Sequence, residues 1–161
     1  MSATRDIVAT YRGPGKVMRR LLGQGVREDR ALIFLIVGCF LVFVAQTPPL
    51  ARQAFETGAD LQMALGGALM GWIFIAPLLL YVIAAISAIV AKIFRLGITG
   101  FEARLALFWA LLACCPLILL HGLVGGFVGP GIQLDIVGGI LVAAFFWFWI
   151  AGLRAASQVE A

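Results

Sequence analysis

The sequence predicts an all-α fold: a polytopic membrane helix bundle of about four transmembrane helices, with an N-terminal amphipathic interfacial helix ahead of them. Three observations predict it. Hydrophobic residues make up 63% of the 161 residues and charged residues 12%, with a mean hydropathy of +1.06. A soluble domain carries about 45–50% and 25%, so this small chain has too little polar surface to coat a soluble sphere. Second, the apolar residues gather into four runs whose cores hold no Asp, Glu, Lys or Arg. Third, the basic residues collect on alternate connections between those runs. That distribution places them on one side of a membrane by the positive-inside rule. The composition excludes a disordered chain, a nucleic-acid-binding domain and nearly every soluble fold.

Residues 1–30 form the first region, a basic segment expected to stay cytoplasmic. It holds seven of the twelve basic residues: Arg5, Arg12, Lys16, Arg19, Arg20, Arg27 and Arg30. Only Asp6, Glu28 and Asp29 oppose them. Residues 3–12 are mixed in character. Gly13-Pro14-Gly15 is a break, and Pro14 is well placed to open a helix. From Lys16 to Leu22, Val17, Met18, Leu21 and Leu22 fill one arc of a helical wheel, with Lys16, Arg19 and Arg20 opposite. Such a helix lies on a membrane surface, and Arg12, Lys16, Arg19 and Arg20 would meet anionic lipid headgroups or an acidic partner. An exposed or partner-covered helix flank is the plainer reading. No stacking aromatics or groove-reading element accompany these charges, so nucleic acid is not an expected partner. The long charged stretch and the missing small-residue cleavage site differ from a signal peptide, so the segment is expected to be retained.

The transmembrane bundle is expected over residues 31–153, with spans at about 31–47, 63–91, 105–128 and 136–153. The first run begins after Arg30 and is expected to stop at Pro48-Pro49, near the lower length limit for a span of about 17–25 residues. Arg52, Glu56 and Asp60 make residues 48–62 polar enough for a loop, with room for a short amphipathic turn around Leu50, Ala51, Ala54 and Phe55 before Gly58. The second run, Met63 to Ala91, is longer than a hydrocarbon core of about 30 Å requires. It must tilt, kink or protrude, and Pro77 is the expected kink. Lys92, Arg95 and Arg104 against Glu102 form a basic connection broken by Gly97 and Gly100. The third run, from Leu105 to about Val128, carries Pro116 as a second expected kink. Gly129-Pro130-Gly131 is a tight turn, followed by Asp135. The fourth run, Ile136 to Leu153, ends in an aromatic cluster at residues 145–149, which suits an interfacial belt. Arg154 opens a tail over residues 154–161. Both termini are therefore expected on the cytoplasmic side.

Ionisable groups inside a membrane are the default pointer to function, and the four cores have none. A proton-coupled exporter or proton relay would need embedded carboxylates. No enzyme and no cofactor are expected. Cys39, Cys114 and Cys115 lie in apolar runs without CxxC or Cys/His spacing, so they read as packing residues and no metal site is expected. The lone histidine, His121, falls about 25 Å along the third span. Gln46 and Asp135 fall at similar depth, so Gln46, His121 and Asp135 could form a small polar cluster near the non-cytoplasmic surface. Interfacial polar packing is the plainer account of it. Gly67/Gly71 and Gly125/Gly129 are GxxxG patterns that allow close helix approach, within the chain or between copies in a homo-oligomer.

Two stretches resemble a known family. Pro14-Gly15-Lys16-Val17-Met18-Arg19-Arg20-Leu21-Leu22 before the first apolar run is similar to the proline-led basic amphipathic helix that precedes the first span in the Yip family of Ypt/Rab-interacting multispanning proteins. Gly100-Phe101-Glu102-Ala103-Arg104, running into Leu105–Cys115 and Pro116, is similar to that family's loop and proline-containing span. The resemblance covers about residues 6–153, and the Ala-, Leu- and Arg-rich style looks like alphaproteobacterial members. Members usually show five spans, against the four counted. The resemblance implies a bacterial inner-membrane protein that organises membranes or binds partners, without catalytic residues.

The expected function is accordingly a non-enzymatic scaffold or adaptor that binds membrane lipids or a protein partner. An accessory subunit of a respiratory or photosynthetic membrane complex is the alternative. A small-solute or lipid transporter is a further one, with Gln46, Tyr81, Ser87 and His121 as its polar candidates.

Overall fold

The computed structural model describes residues 3–158; residues 1–2 and 159–161, which belong to the expected N-terminal segment and tail, lie outside them. Six helices follow one another: α1 (Ala3–Arg12), α2 (Pro14–Leu22), α3 (Glu28–Thr57), α4 (Leu61–Ile93), α5 (Gly100–Phe127) and α6 (Ile132–Ser157). No strand occurs among the described residues. Helices α3 to α6 are each long and apolar enough to cross a membrane, which makes this a multi-pass membrane protein with an all-α bundle.

α5 is the hub. It packs against α3, α4 and α6, and more lightly against α1. Its face from Leu105 to Cys115 is buried without interruption. Its start is fixed by a reciprocal cap: the Thr99 hydroxyl accepts from the Glu102 N–H at 3.3 Å, and the Glu102 carboxylate accepts from the Thr99 N–H at 2.8 Å. Such a box satisfies two donors that a helix start otherwise leaves unpaired. Arg104 pairs with Glu28 and so ties the beginning of α5 to the beginning of α3.

The contact between α3 and α5 depends on glycine. A Cβ at Gly122 would overlap the Ala45 carbonyl, and one at Gly126 would overlap Pro48. Small residues let transmembrane helices approach to backbone contact, where Cα–H···O interactions add to packing. The GxxxG pair that faces α3 is thus Gly122/Gly126. Gly129 lies beside the Arg52 guanidinium at φ +91°, a left-handed conformation that suits glycine at this turn. By contrast, Gly67 and Gly71 have no neighbour within 4 Å of a built Cβ.

The expected end of the first span at Pro48-Pro49 is corrected: α3 continues through both prolines to Thr57. A proline inside a helix removes one N–H and displaces the carbonyl four residues back. Here both displaced carbonyls find contacts. The Thr47 hydroxyl donates to the Val44 carbonyl at 2.8 Å, and the Ala45 carbonyl abuts Gly122. Arg52 and Glu56 then form an i,i+4 pair at 2.7 Å in the extension, and Gly58 closes it at φ 71°. The expected loop over residues 48–62 shrinks to a short turn before Asp60, whose side chain accepts from Gln62 N and Met63 N to start α4.

α4 has its irregularity one turn before Pro77. Residues Gly71–Ile75 form a π-helical turn between two α-helical stretches. A widened turn accommodates the carbonyl that a proline ring displaces.

α1 and α2 pair with each other beside the bundle, joined at Gly13. α1 descends along α5: Trp109 Nε1 donates to the Thr10 hydroxyl at 3.2 Å, and the Tyr11 hydroxyl donates to the Ala113 carbonyl at 3.1 Å. α2 returns along α6, with Gly15 near Ala151 and Ala155, and Met18 near Gly152. Leu22 reaches the cluster of Ala91, Ile98, Ala103 and Ala156. The amphipathic segment read from the sequence has Val17, Met18 and Leu21 buried. Ala113 lies about 13 Å along α5 beyond Arg104 at the α-helical rise. The hairpin tip therefore reaches well into the bundle's length from its basic end.

Candidate functional site

Two places in the molecule gather polar chemistry. The first is the cleft between α1 and α2. On α1, Arg5, Val8, Ala9 and Arg12 share one face; on α2, Lys16, Val17 and Arg20 share another, and Gly13 joins the two. Together they line an open cavity of about 440 Å³. Four cations therefore border one space, and Asp6, paired with Arg20, is the carboxylate that answers them. Arg20 keeps a buried Nε with no hydrogen-bond partner. Arg12 and Lys16 are exposed, while Arg20 is half-buried. Their aliphatic stems run beside Val8, Ala9 and Val17, so the cleft offers apolar walls and cationic ends. That is the chemistry of a site for an anionic amphiphile.

Of the basic residues read from the sequence, the structure brings Arg12, Lys16 and Arg20 together. Arg19 stands apart: its guanidinium donates to the Gln158 carboxamide at 3.4 Å, at the end of α6. Arg5 joins the cleft in its place. Its signal lies in the spacing of Arg5, Val8, Ala9 and Arg12, which share one helical face. Residues 3–12 show that face only if they are read as a helix.

The second place is a crevice of about 350 Å³ toward the other end of the bundle. Gln46 comes from α3, Trp72 from the π-helical turn of α4, His121 from α5 and Leu134 from α6. The structure thus brings Gln46 and His121 to one cavity. Asp135 does not line it; it is exposed near the start of α6, one turn before Gly138, which lies against the His121 ring. Trp72 is the residue that sequence reasoning missed, because its place depends on the irregular turn. Pro77 follows that turn, and Pro116 precedes the part of α5 that carries His121.

Among the described residues, no group of three or more His, Cys, Asp or Glu side chains is placed to hold a metal ion. The three cysteines are free and buried. Cys114 and Cys115 pack in the interior of α5, and Cys115 Sγ lies 3.5 Å from the Leu111 carbonyl. No family model, curated protein or solved structure matches the chain.

Proposed function

We propose that this protein is a non-enzymatic membrane scaffold or adaptor of the Yip type, seated in a bacterial inner membrane with both termini cytoplasmic. Its α1–α2 hairpin holds anionic lipid headgroups or an acidic partner. The observation that carries this reading is the cleft of Arg5, Arg12, Lys16 and Arg20 between the two helices of the hairpin. Cationic side chains at such a level need a counter-charge, since unpaired charge near hydrocarbon is costly. The cytoplasmic leaflet supplies it, at about 1 kcal/mol per basic residue near an anionic surface. The hairpin adds two short helices to one half of the bundle only, which gives the protein a wider cross-section there. That asymmetry suits a protein that orders or shapes the surrounding leaflet.

The test is native mass analysis of the protein extracted in mild detergent from membranes containing phosphatidylglycerol. Co-purified anionic lipid is expected on the unaltered protein, and about tenfold less on the Arg12→Gln/Lys16→Gln/Arg20→Gln variant. Equal lipid on both would remove the cleft from the reading. The same preparation addresses the accessory-subunit alternative. Only 6% of the most apolar stretch of α4 is buried within the chain, a surface that a larger complex could cover. A stoichiometric protein partner retained by the triple variant would favour that alternative.

A further inference from the structure

The crevice around His121 is independent of the hairpin and has different chemistry. Its wall is apolar apart from Gln46, Trp72 and His121. Each of these three carries at least one N–H that can donate. None of the three side chains has a hydrogen-bond partner within the described residues. The three are partly exposed rather than buried, so an acceptor from outside the chain can reach them. Because they border one cavity, a single acceptor-bearing molecule can meet all three.

The charge of that acceptor follows from the surroundings. No Lys, Arg, Asp or Glu lines the crevice. The nearest cation along α3 is Arg52, one turn past Pro49, and its guanidinium is already engaged by Glu56 and by the Gly126 and Phe127 carbonyls. A phosphate or carboxylate head would meet no free counter-charge there. The occupant is therefore neutral. Its shape follows from the wall: Trp72 offers a flat ring, set among the apolar side chains of Val42, Leu111, Ile118 and Leu141. The volume lies at the lower end of small-ligand sites, about 300–1,000 Å³. It suits one planar ring with the beginning of an apolar tail.

Helix regularity points to the same place. Pro49 of α3 and the π-helical turn of α4 both border the crevice, and His121 follows Pro116 on α5. Irregular turns move side chains off the regular helical positions, and π-turns recur at functional sites. Of the three helices that meet there, α4 has a π-helical turn at the cavity, while α3 and α5 carry prolines within continuous α-helix.

We propose that this crevice binds a neutral, lipid-soluble molecule with a planar carbonyl-bearing head, of the quinone class. Gln46, His121 and Trp72 donate to its carbonyl oxygens, and its tail runs out along apolar side chains such as Leu141.

The test uses full-length protein in lipid nanodiscs and a photoreactive azido-benzoquinone with a short alkyl tail. Peptides containing Trp72 or His121 are expected to be labelled, and excess alkyl-benzoquinone should suppress that labelling with a saturable dose dependence. In the Gln46→Leu/His121→Leu variant the competing dose should rise about tenfold, the loss of one to two hydrogen bonds. Trp72→Phe keeps the ring and removes one donor, so it should shift the dose by a smaller factor. It also serves if the double variant does not fold. Labelling that unlabelled quinone does not displace, or equal doses for Trp72→Phe and the unaltered protein, would overturn the proposal. Competition by a long-chain alcohol as strong as that by the quinone would overturn the carbonyl assignment. Because the cleft variant Arg12→Gln/Lys16→Gln/Arg20→Gln leaves this crevice untouched, its quinone labelling should be unchanged, whatever becomes of its lipid binding.

Discussion

α5 and α4 are alike in composition and opposite in surroundings. The most apolar stretch of each has a mean hydropathy of 2.3 in α5 and 2.7 in α4, yet 56% of that stretch is buried in α5 and 6% in α4. Hydrophobicity therefore does not decide which helix becomes the hub. Lipid tails are as apolar as Leu, so a helix gains little by moving an Ile from lipid to protein. Close approach and paired polar groups decide instead. α5 has Gly122 and Gly126 against α3, and Trp109 and Ala113 hydrogen-bonded to α1. α4 has Gly66, Gly67 and Gly71 with nothing beside them.

The comparison can be broken first by truncating one large side chain on each helix. Phe108 of α5 is fully buried, with its ring 5.1 Å from that of Tyr81 in an edge contact. Phe108→Ala is expected to cost about 3–5 kcal/mol. Leu78 of α4 is 69% exposed, and Leu78→Ala should stay within about 0.5 kcal/mol. Unfolding in detergent followed by circular dichroism measures both. A large loss for Leu78→Ala would mean that another chain covers α4 in the assembled protein.

Glycine gives a second, smaller contrast. Gly122→Ala places a methyl group against the Ala45 carbonyl, backbone that cannot swing away. The expected cost is about 1–3 kcal/mol. Gly67→Ala meets nothing, and the better helix former should leave stability unchanged or raise it by up to about 1 kcal/mol. The same unfolding series reads both variants. If Gly67→Ala is the damaging one, α4 uses its glycines against a second copy of the chain.

How much of this was legible in the sequence follows the same division. The four apolar runs, their uncharged cores and the break at Gly129-Pro130-Gly131 correspond to α3 to α6 and the α5–α6 turn. The arc of Val17, Met18 and Leu21 is the buried face of α2. Nothing in the runs marked α5 as the hub, because their hydropathies differ so little. The passage of α3 through Pro48-Pro49 was hidden because local propensity opposes it. It rests on the Thr47 hydroxyl and on Gly122, far away in the chain. α1 was missed although Arg5, Val8, Ala9 and Arg12 recur at helical spacing; what the sequence hid is its docking, Thr10 and Tyr11 being held by Trp109 and Ala113. In the crevice, Gln46 and His121 were found from depth along their helices. Trp72 was not, since a π-helical turn shifts the register that such an estimate assumes.

The finest distinction between the two helices lies at their ends. α4 finishes at Ile93 with backbone alone: Phe94 N–H donates to the Val90 carbonyl, and Leu96 N–H to the Ala91 carbonyl. α5 finishes with a side chain from another helix. Arg52 Nη1 donates to the Gly126 and Phe127 carbonyls at 3.4 and 3.3 Å, while its Nε holds Glu56 at 2.7 Å. A cation at a helix C-terminus stabilises the last exposed carbonyls by about 0.3–1 kcal/mol. Arg52→Met keeps the stem and removes that charge. Amide exchange at Val128 and Gly129, whose N–H groups both bond to the Val124 carbonyl, should accelerate about two- to fivefold. Exchange at Phe94 and Leu96 should not change. Arg52→Lys restores the charge without the forked donor and should recover part of the protection. Equal protection in all three proteins would show that the end of α5 is held by its glycine-mediated packing on α3 alone, with Arg52 a bystander.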